Sequence, residues 1–289
     1  MADTGEPIAL VLGAAGARGM AQIGVIEALE ARGLRIAAIA GSSSGALVGG
    51  FHAAGRLPAF REWITGLSRL EMLRLLDSAV GRGALLEGRQ LMEALQALVG
   101  DVAIESLPVD LTVVAVDMLR QREVWLREGD LLQAIRASIA IPGILTPQLV
   151  HGRELVDGGL LAPLPITASR LSDAHRLVVV DMHGWPQLAP TDLSLPEPPW
   201  RRDEPEVSVD GSGSPWRIVR DDLGLLERVS RAFDTMQSQV ARVQLALDPA
   251  ELVIRIPRDA CLFYEFWRAA EMIDLGRAQA EKALDAAGY

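Results

Sequence analysis

The chain of 289 residues carries 28 Lys+Arg against 38 Asp+Glu, a formal charge of −10, with 6 Trp, 5 Phe and 2 Tyr. That balance excludes a nucleic-acid binder, which needs a basic footprint and aromatic stacking platforms, and 49% hydrophobic against 23% charged residues excludes a disordered chain. The single cysteine, Cys261, rules out an intrachain disulfide and zinc sites built on several thiolates, and fits a reducing compartment.

The N-terminal stretch Met1–Pro7 holds two acids and no Lys or Arg, the reverse of a signal peptide's basic start. No apolar run reaches the ~18 residues of a spanning helix, so a cytoplasmic protein is expected, with any membrane contact peripheral and made through a local apolar surface. Ile8 to Leu12 is a short buried-type strand ending in Gly13-Ala14-Ala15-Gly16-Ala17-Arg18-Gly19, after which Ile23, Ile26 and Leu29 recur with helical spacing until Gly33. Leu34 to Ala40 is a second strand, leading through Gly41-Ser42-Ser43-Ser44-Gly45 into a helix of small apolar residues. Two strand-turn-helix units in succession predict an α/β fold with a largely parallel central sheet covered on both faces by helices.

Leu57 to Leu98 reads as helices broken at Gly66 and at Gly81-Arg82-Gly83. Leu111 to Val116 and Val124 to Leu126 read as a strand hairpin, Leu131 to Ile139 as a helix stopped by Pro142, and Leu177 to Val180 as a further strand. Prolines and Gly211-Ser212-Gly213-Ser214 then predict a long loop over about 184–215. Beyond it come a helix (Ile218 to Leu247), a strand (Leu252 to Ile256) and a closing helix (Phe263 to Leu284). That last strand needs a sheet to join, so the proline-rich loop reads as an insertion within one domain spanning 1–289.

Gly41-Ser42-Ser43-Ser44-Gly45 fits G-x-S-x-G, centred on Ser43. Between a strand and a helix the pattern makes a nucleophile elbow: a sharp turn exposes the serine oxygen, Gly41 and Gly45 remove side chains that would clash, and the helix N-terminus favours negative charge. An ordinary turn with a serine cap is the alternative. Two candidates could serve as base. His183 follows a strand, where an α/β-hydrolase can hold a triad histidine, whereas His52 lies too far along the next helix and His151 and His175 read as surface residues. Asp157, in an apolar stretch before Gly158-Gly159, is the other, and its ordinary role is a turn aspartate.

The loop Gly13 to Gly19 departs from G-x-G-x-x-G at Ala15, the second strand ends without a ribose-binding acid, and no Gly-Lys-Ser/Thr follows. A dinucleotide or P-loop reading therefore fails, and the loop suits the presentation of backbone N–H groups to an oxyanion. Arg56 to Arg89, with Leu57, Phe60, Trp63 and Leu70, reads as a helical face over the core, or else as a lid that meets lipid. Cys261 reads as a small core residue.

In their order, Gly16-Ala17-Arg18-Gly19, Gly41-Ser42-Ser43-Ser44-Gly45 and Asp157-Gly158-Gly159, with Ala137-Ser138-Ile139-Ala140-Ile141-Pro142-Gly143 and Leu160-Leu161-Ala162-Pro163-Leu164-Pro165 alongside, resemble the patatin-like phospholipases, in particular small bacterial members similar to the catalytic domain of neuropathy target esterase. The resemblance implies a three-layer α/β/α fold and a Ser43-Asp157 dyad without histidine. It also implies an oxyanion loop over Ala15, Gly16, Ala17, Arg18 and Gly19, hydrolysis of a lipid-type acyl ester through an acyl-enzyme, and no metal or organic cofactor. Ala14 and Ala15 stand where the family usually has glycine; alanine keeps its N–H but resists positive φ. Two other readings stay open: an α/β-hydrolase-like esterase using Ser43, an aspartate and His183, and a lipid-binding or regulatory protein without turnover.

Overall fold

A computed structural model describes residues 5–75, 86–172, 174, 176–186 and 225–289. Its strands are β1 (Glu6–Leu12), β2 (Leu34–Ser42), β3 (Asp110–Asp117), β4 (Arg122–Leu126), β5 (Gln148–Val150), β6 (Arg153–Asp157), β7 (Arg176–Gly184) and β8 (Leu252–Pro257). Its helices are α1 (Ala21–Ala31), α2 (Ser44–Ala53), α3 (Leu57–Gly66), α4 (Arg69–Leu75), α5 (Arg89–Val99), α6 (Leu131–Ser138), α7 (Ile166–Ser169), α8 (Leu225–Leu247) and α9 (Ala269–Ala287). The strands form one sheet in the order β5-β6-β3-β2-β1-β7-β8, with β4 beside β3. The pairs β3–β2, β2–β1, β1–β7 and β7–β8 are parallel, and antiparallel pairing is confined to β4, β5 and β6.

Alternation along each strand sorts the core into two layers. Ile8, Leu10, Leu12, Val178 and Val180 face the side packed by α1, α2 and α9, whereas Ala9, Val11, Leu177 and Val179 face the side packed by α7 and α8. Strands buried on both faces read as continuous apolar runs, which is why Ile8 to Leu12 and Leu177 to Val180 announce themselves in the sequence. The fold is a three-layer α/β/α sandwich. No helix among the described residues is long and apolar enough to cross a membrane.

Several elements differ from expectation. The closing helix begins at Ala269, because residues before it form a turn with a 3-10 segment, Phe266–Arg268, that packs on the loop after β1. The hairpin β5–β6 has too few residues and too little apolar alternation to stand out. Gly81-Arg82-Gly83, His175, most of the proline-rich insertion (187–215) and the start of the helix expected from Ile218 lie outside the described residues.

One detail of register brings distant segments together. β4 occupies one edge of β3 along Val113–Asp117, so β2 and β6 share the other edge, with Ser42 opposite Val114 and Asp157 opposite Ala115. Two chain segments separated by more than a hundred residues therefore end on consecutive positions of one strand.

Candidate active site

β2 ends at Ser42 and α2 begins at Ser44, leaving Ser43 at the turn with φ 54° and ψ −121°. A side chain rarely adopts positive φ, because its Cβ crowds the backbone, and the conformation persists only where surrounding structure imposes it. Packing imposes it here: a Cβ on Gly41 would meet the backbone of Gly45 and Ala46, and one on Gly45 would meet the carbonyl of Leu12. The Ser43 N–H donates to Ser138 Oγ at 2.8 Å, and the Ser138 hydroxyl donates to Val114 O at 2.6 Å. Ser138, fully buried at the end of α6, thereby fastens the elbow to β3.

Ser43 Oγ donates to Asp157 Oδ2 at 2.6 Å, and the Gly159 N–H donates to Asp157 Oδ1 at 2.7 Å. Asp157 is 1% exposed. Burial pushes its carboxyl up to about 7, and the bonds from Ser43 and Gly159, which favour the carboxylate, oppose that rise without cancelling it. The pair therefore joins a hydroxyl to a carboxyl whose proton is exchangeable near neutrality.

The loop after β1 wraps around the elbow. Its N–H groups are committed at three positions: Ala14 to Pro163 O (2.8 Å), Ala15 to Ser44 Oγ (3.0 Å) and Ala17 to Phe263 O (2.8 Å). Gly16 alone in the loop takes positive φ, 55°, and opens the 3-10 turn Gly16–Met20. The N–H groups of Gly16 and of Ser44, the first residue of α2, make no hydrogen bond among the described residues. Neither Ala14 nor Ala15 takes positive φ, so the loop does not ask of the two alanines the conformation that glycine alone adopts freely. Arg18 braces it from behind, donating to Arg258 O at 2.7 Å and forming an ion pair with Asp234 of α8. The last glycine of the loop, Gly19, faces Ser44, whose side chain would collide with a Cβ there.

Two cavities meet at Ser43. The larger, about 390 Å³, is walled by apolar side chains that include Phe60 and Ile64 of α3, Met72 of α4, Leu95 of α5, and Phe263 and Trp267. The smaller, about 160 Å³, lies between Ser43, Asp157 and α8, which contributes Phe233, Asp234 and Gln237. The helices from Arg56 to Arg89 thus form the wall of a cavity as far as they are described.

The remaining candidates stand elsewhere. His52 Nε2 lies 3.9 Å from Glu30 Oε1, and His151 sits in the exposed β5–β6 turn with φ 49°. His183 is buried with Nδ1 3.7 Å from Asp234 Oδ1; burial and the Arg18 charge push its pKa down, against the pull of Asp234 and Asp181. None of these three histidines hydrogen-bonds to Ser43. Burial pushes the Cys261 thiol up to about 11, as suits a core residue.

Three contributors escape a reading of the sequence. Ser138 carries one local signal, a small polar residue in an apolar run before Pro142, but nothing in it points to Ser43. Phe263 and Gln237 act through contacts made only in the fold: the Phe263 carbonyl accepts from Ala17, and Gln237 Nε2 donates to Gly159 O at 3.1 Å.

A family model described as patatin-like phospholipase matches residues 10–169, a span that contains Gly16, Ser43, Ser138 and Asp157. An uncharacterized NTE family protein of Mycobacterium tuberculosis is 37% identical over 338 aligned residues, covering 96% of this chain and 91% of its own length. Patatin-like phospholipase domain-containing protein 6 of Mus musculus is 30% identical over 198 residues, covering 66% of this chain and 14% of the mouse protein. Among solved structures, VipD from Legionella pneumophila aligns over 98% of this chain and 67% of its own at 12% identity and a TM-score of 0.46, a likeness too slight to carry an argument. On the family match and the near full-length relative, the chain belongs to the patatin-like phospholipase family.

Proposed function

We propose that the protein is a serine esterase that hydrolyses lipid-type acyl esters through an acyl-enzyme, with Ser43 as nucleophile and Asp157 as its base. Family membership supports lipid hydrolysis in general. The observation that carries the finer reading is the 2.6 Å bond from Ser43 Oγ to Asp157 Oδ2, with Ser43 in the wall of an apolar cavity. With Asp157 ionised, it takes the Ser43 proton as Oγ attacks the ester carbonyl. The carbonyl oxygen becomes an oxyanion facing the free N–H groups of Gly16 and Ser44 and the positive end of α2. Collapse expels the alcohol, which receives the proton from Asp157. Water then attacks the acyl-enzyme, giving a proton to the same carboxylate, and Asp157 passes that proton to Ser43 Oγ as the fatty acid leaves.

Size favours one acyl chain. At roughly 30 Å³ for a methylene, about a water molecule's share of liquid volume, the cavity of about 390 Å³ takes a chain of roughly a dozen carbons. The 160 Å³ space beside α8 suits the alcohol portion and is too small for a second long chain.

Labelling with a fluorophosphonate tests the nucleophile: the wild type is tagged and Ser43→Ala is not. Turnover of p-nitrophenyl esters tests the base, with Asp157→Asn near the background of Ser43→Ala and His183→Ala retaining far more. A loss in His183→Ala as deep as that in Ser43→Ala would replace the dyad by a triad. An unlabelled, inactive wild type would leave only lipid binding.

A further inference from the structure

We propose that the end of the molecule around the two cavities at Ser43 is the surface on which this protein seats against a lipid bilayer, with Leu70, Trp185, Val229, Leu262 and Tyr264 entering the head-group region. The inference rests on the lipid hydrolase reading and adds the place of contact. All five side chains are exposed, Trp185 at 76%, Leu70 at 58% and Val229 at 54%. Four of them adjoin or belong to the cavity walls at Ser43. Leu70 stands between the wall residues Arg69 and Met72, Leu262 precedes Phe263, and Tyr264 and Val229 are themselves wall residues. Topology puts them at one end of the molecule: Ser43 follows β2, Trp185 follows β7, and Leu262 and Tyr264 follow β8, strands that run in the same direction. Exposed apolar side chains that continue into an apolar cavity give an acyl chain a path from bilayer to Ser43 without a passage through water.

Charge beside these side chains fits the same occupant. Arg242 and Arg258 lie over the Trp185 ring at 5.3 and 6.0 Å, and Arg69 over Trp267 at 5.0 Å. An indole beside a guanidinium suits the boundary between acyl chains and head groups, where the ring buries its body and the cation meets phosphate oxygens. Of the acids at this end, Asp234 and Glu265 are paired with Arg18 and Arg268, and Glu71, beside Leu70, accepts from Ser68. With a chain charge of −10, attachment depends on this local surface and not on bulk attraction to an anionic membrane.

The test is co-flotation of the full chain with vesicles of phosphatidylcholine, with and without phosphatidylglycerol, using Ser43→Ala so that nothing is hydrolysed. Ser43→Ala is expected to float with both compositions, and adding Leu70→Glu and Trp185→Glu is expected to weaken binding by about tenfold or more. In the active protein the same pair of substitutions lowers turnover of vesicle-borne esters by a similar factor. Unchanged melting temperature and unchanged turnover of a short soluble ester show that the fold and the site survive. Absence of flotation by Ser43→Ala, equal flotation with the two side chains substituted, or a solution dimer that these substitutions dissociate would overturn the proposal. Flotation that depends on them, in a wild type that hydrolyses no ester, would keep the surface and remove the hydrolase reading.

Discussion

A carboxyl that burial holds near neutrality serves as a base only when it has lost its proton, and on the proposed dyad this fixes the pH behaviour of Ser43. Because Asp157 is pushed up to about 7, kcat/KM for a soluble ester is expected to level off above that pH and to fall about tenfold per unit below it. Initial rates across the range decide it, and a plateau reaching down to pH 5 would mean that Asp157 stays ionised. Ser138 acts at one remove. Its loss in Ser138→Ala leaves the Ser43 N–H and the Val114 carbonyl buried without their partner, each at a cost of about 1–3 kcal/mol, and lets the strained elbow relax. The expected result is a fall in kcat of about tenfold or more with KM and the midpoint of the pH profile unchanged. An unaltered kcat would show that Gly41 and Gly45 hold the turn unaided.

At the scale of elements, the proposed mechanism divides the work between the loop after β1, which would set rate, and the α3–α5 wall, which would set selection. A Cβ at Gly16 would need φ near 55° and would press on the Phe263 carbonyl. Gly16→Ala is therefore expected to displace the free N–H from the oxyanion position and to cost about 10²–10³ in kcat, as loss of one such donor does; retained rates would assign that donor role elsewhere. On the proposed reading the wall sets chain length. Leu95 is fully buried on the cavity side of α5, so Leu95→Trp fills space that an acyl chain would take. Turnover of esters of about a dozen carbons is expected to drop well below the wild type while a butyrate ester is little affected, and an equal loss on both would indicate general disruption of the core.

Across the whole molecule, what could be read in advance is what is local. Ile8 to Leu12, Leu34 to Ala40 and the turn around Ser43 declare themselves because a buried parallel strand is an apolar run and an elbow needs glycines on both sides. The meeting of Ser43 with Asp157 depends on how β2 and β6 share an edge of β3, which no stretch of sequence encodes by itself. The apolar cavity was likewise hidden, since Phe60, Leu95 and Trp267 look like ordinary core residues until three helices and the turn before α9 enclose a space. Such a site also weighs on the entire fold. Asp157 prefers its neutral form in the native state, with a pKa raised from 3.8 to about 7. As pH rises through that window the unfolded chain loses the proton first, so native stability falls, and the full penalty is present above about 7. A shift of about three units corresponds to a penalty on the order of 4 kcal/mol. Asparagine keeps the shape, can accept from Gly159 and donate to Ser43, and carries no charge to desolvate. Asp157→Asn is thus expected to be inactive and more stable than the wild type at pH 8, with most of the advantage gone near pH 4, where the wild-type carboxyl is protonated in the native state and about two-fifths so in the unfolded chain. Urea unfolding of both proteins at the two pH values measures the difference directly, and equal stability at pH 8 would mean that the buried carboxylate is better solvated than its surroundings imply.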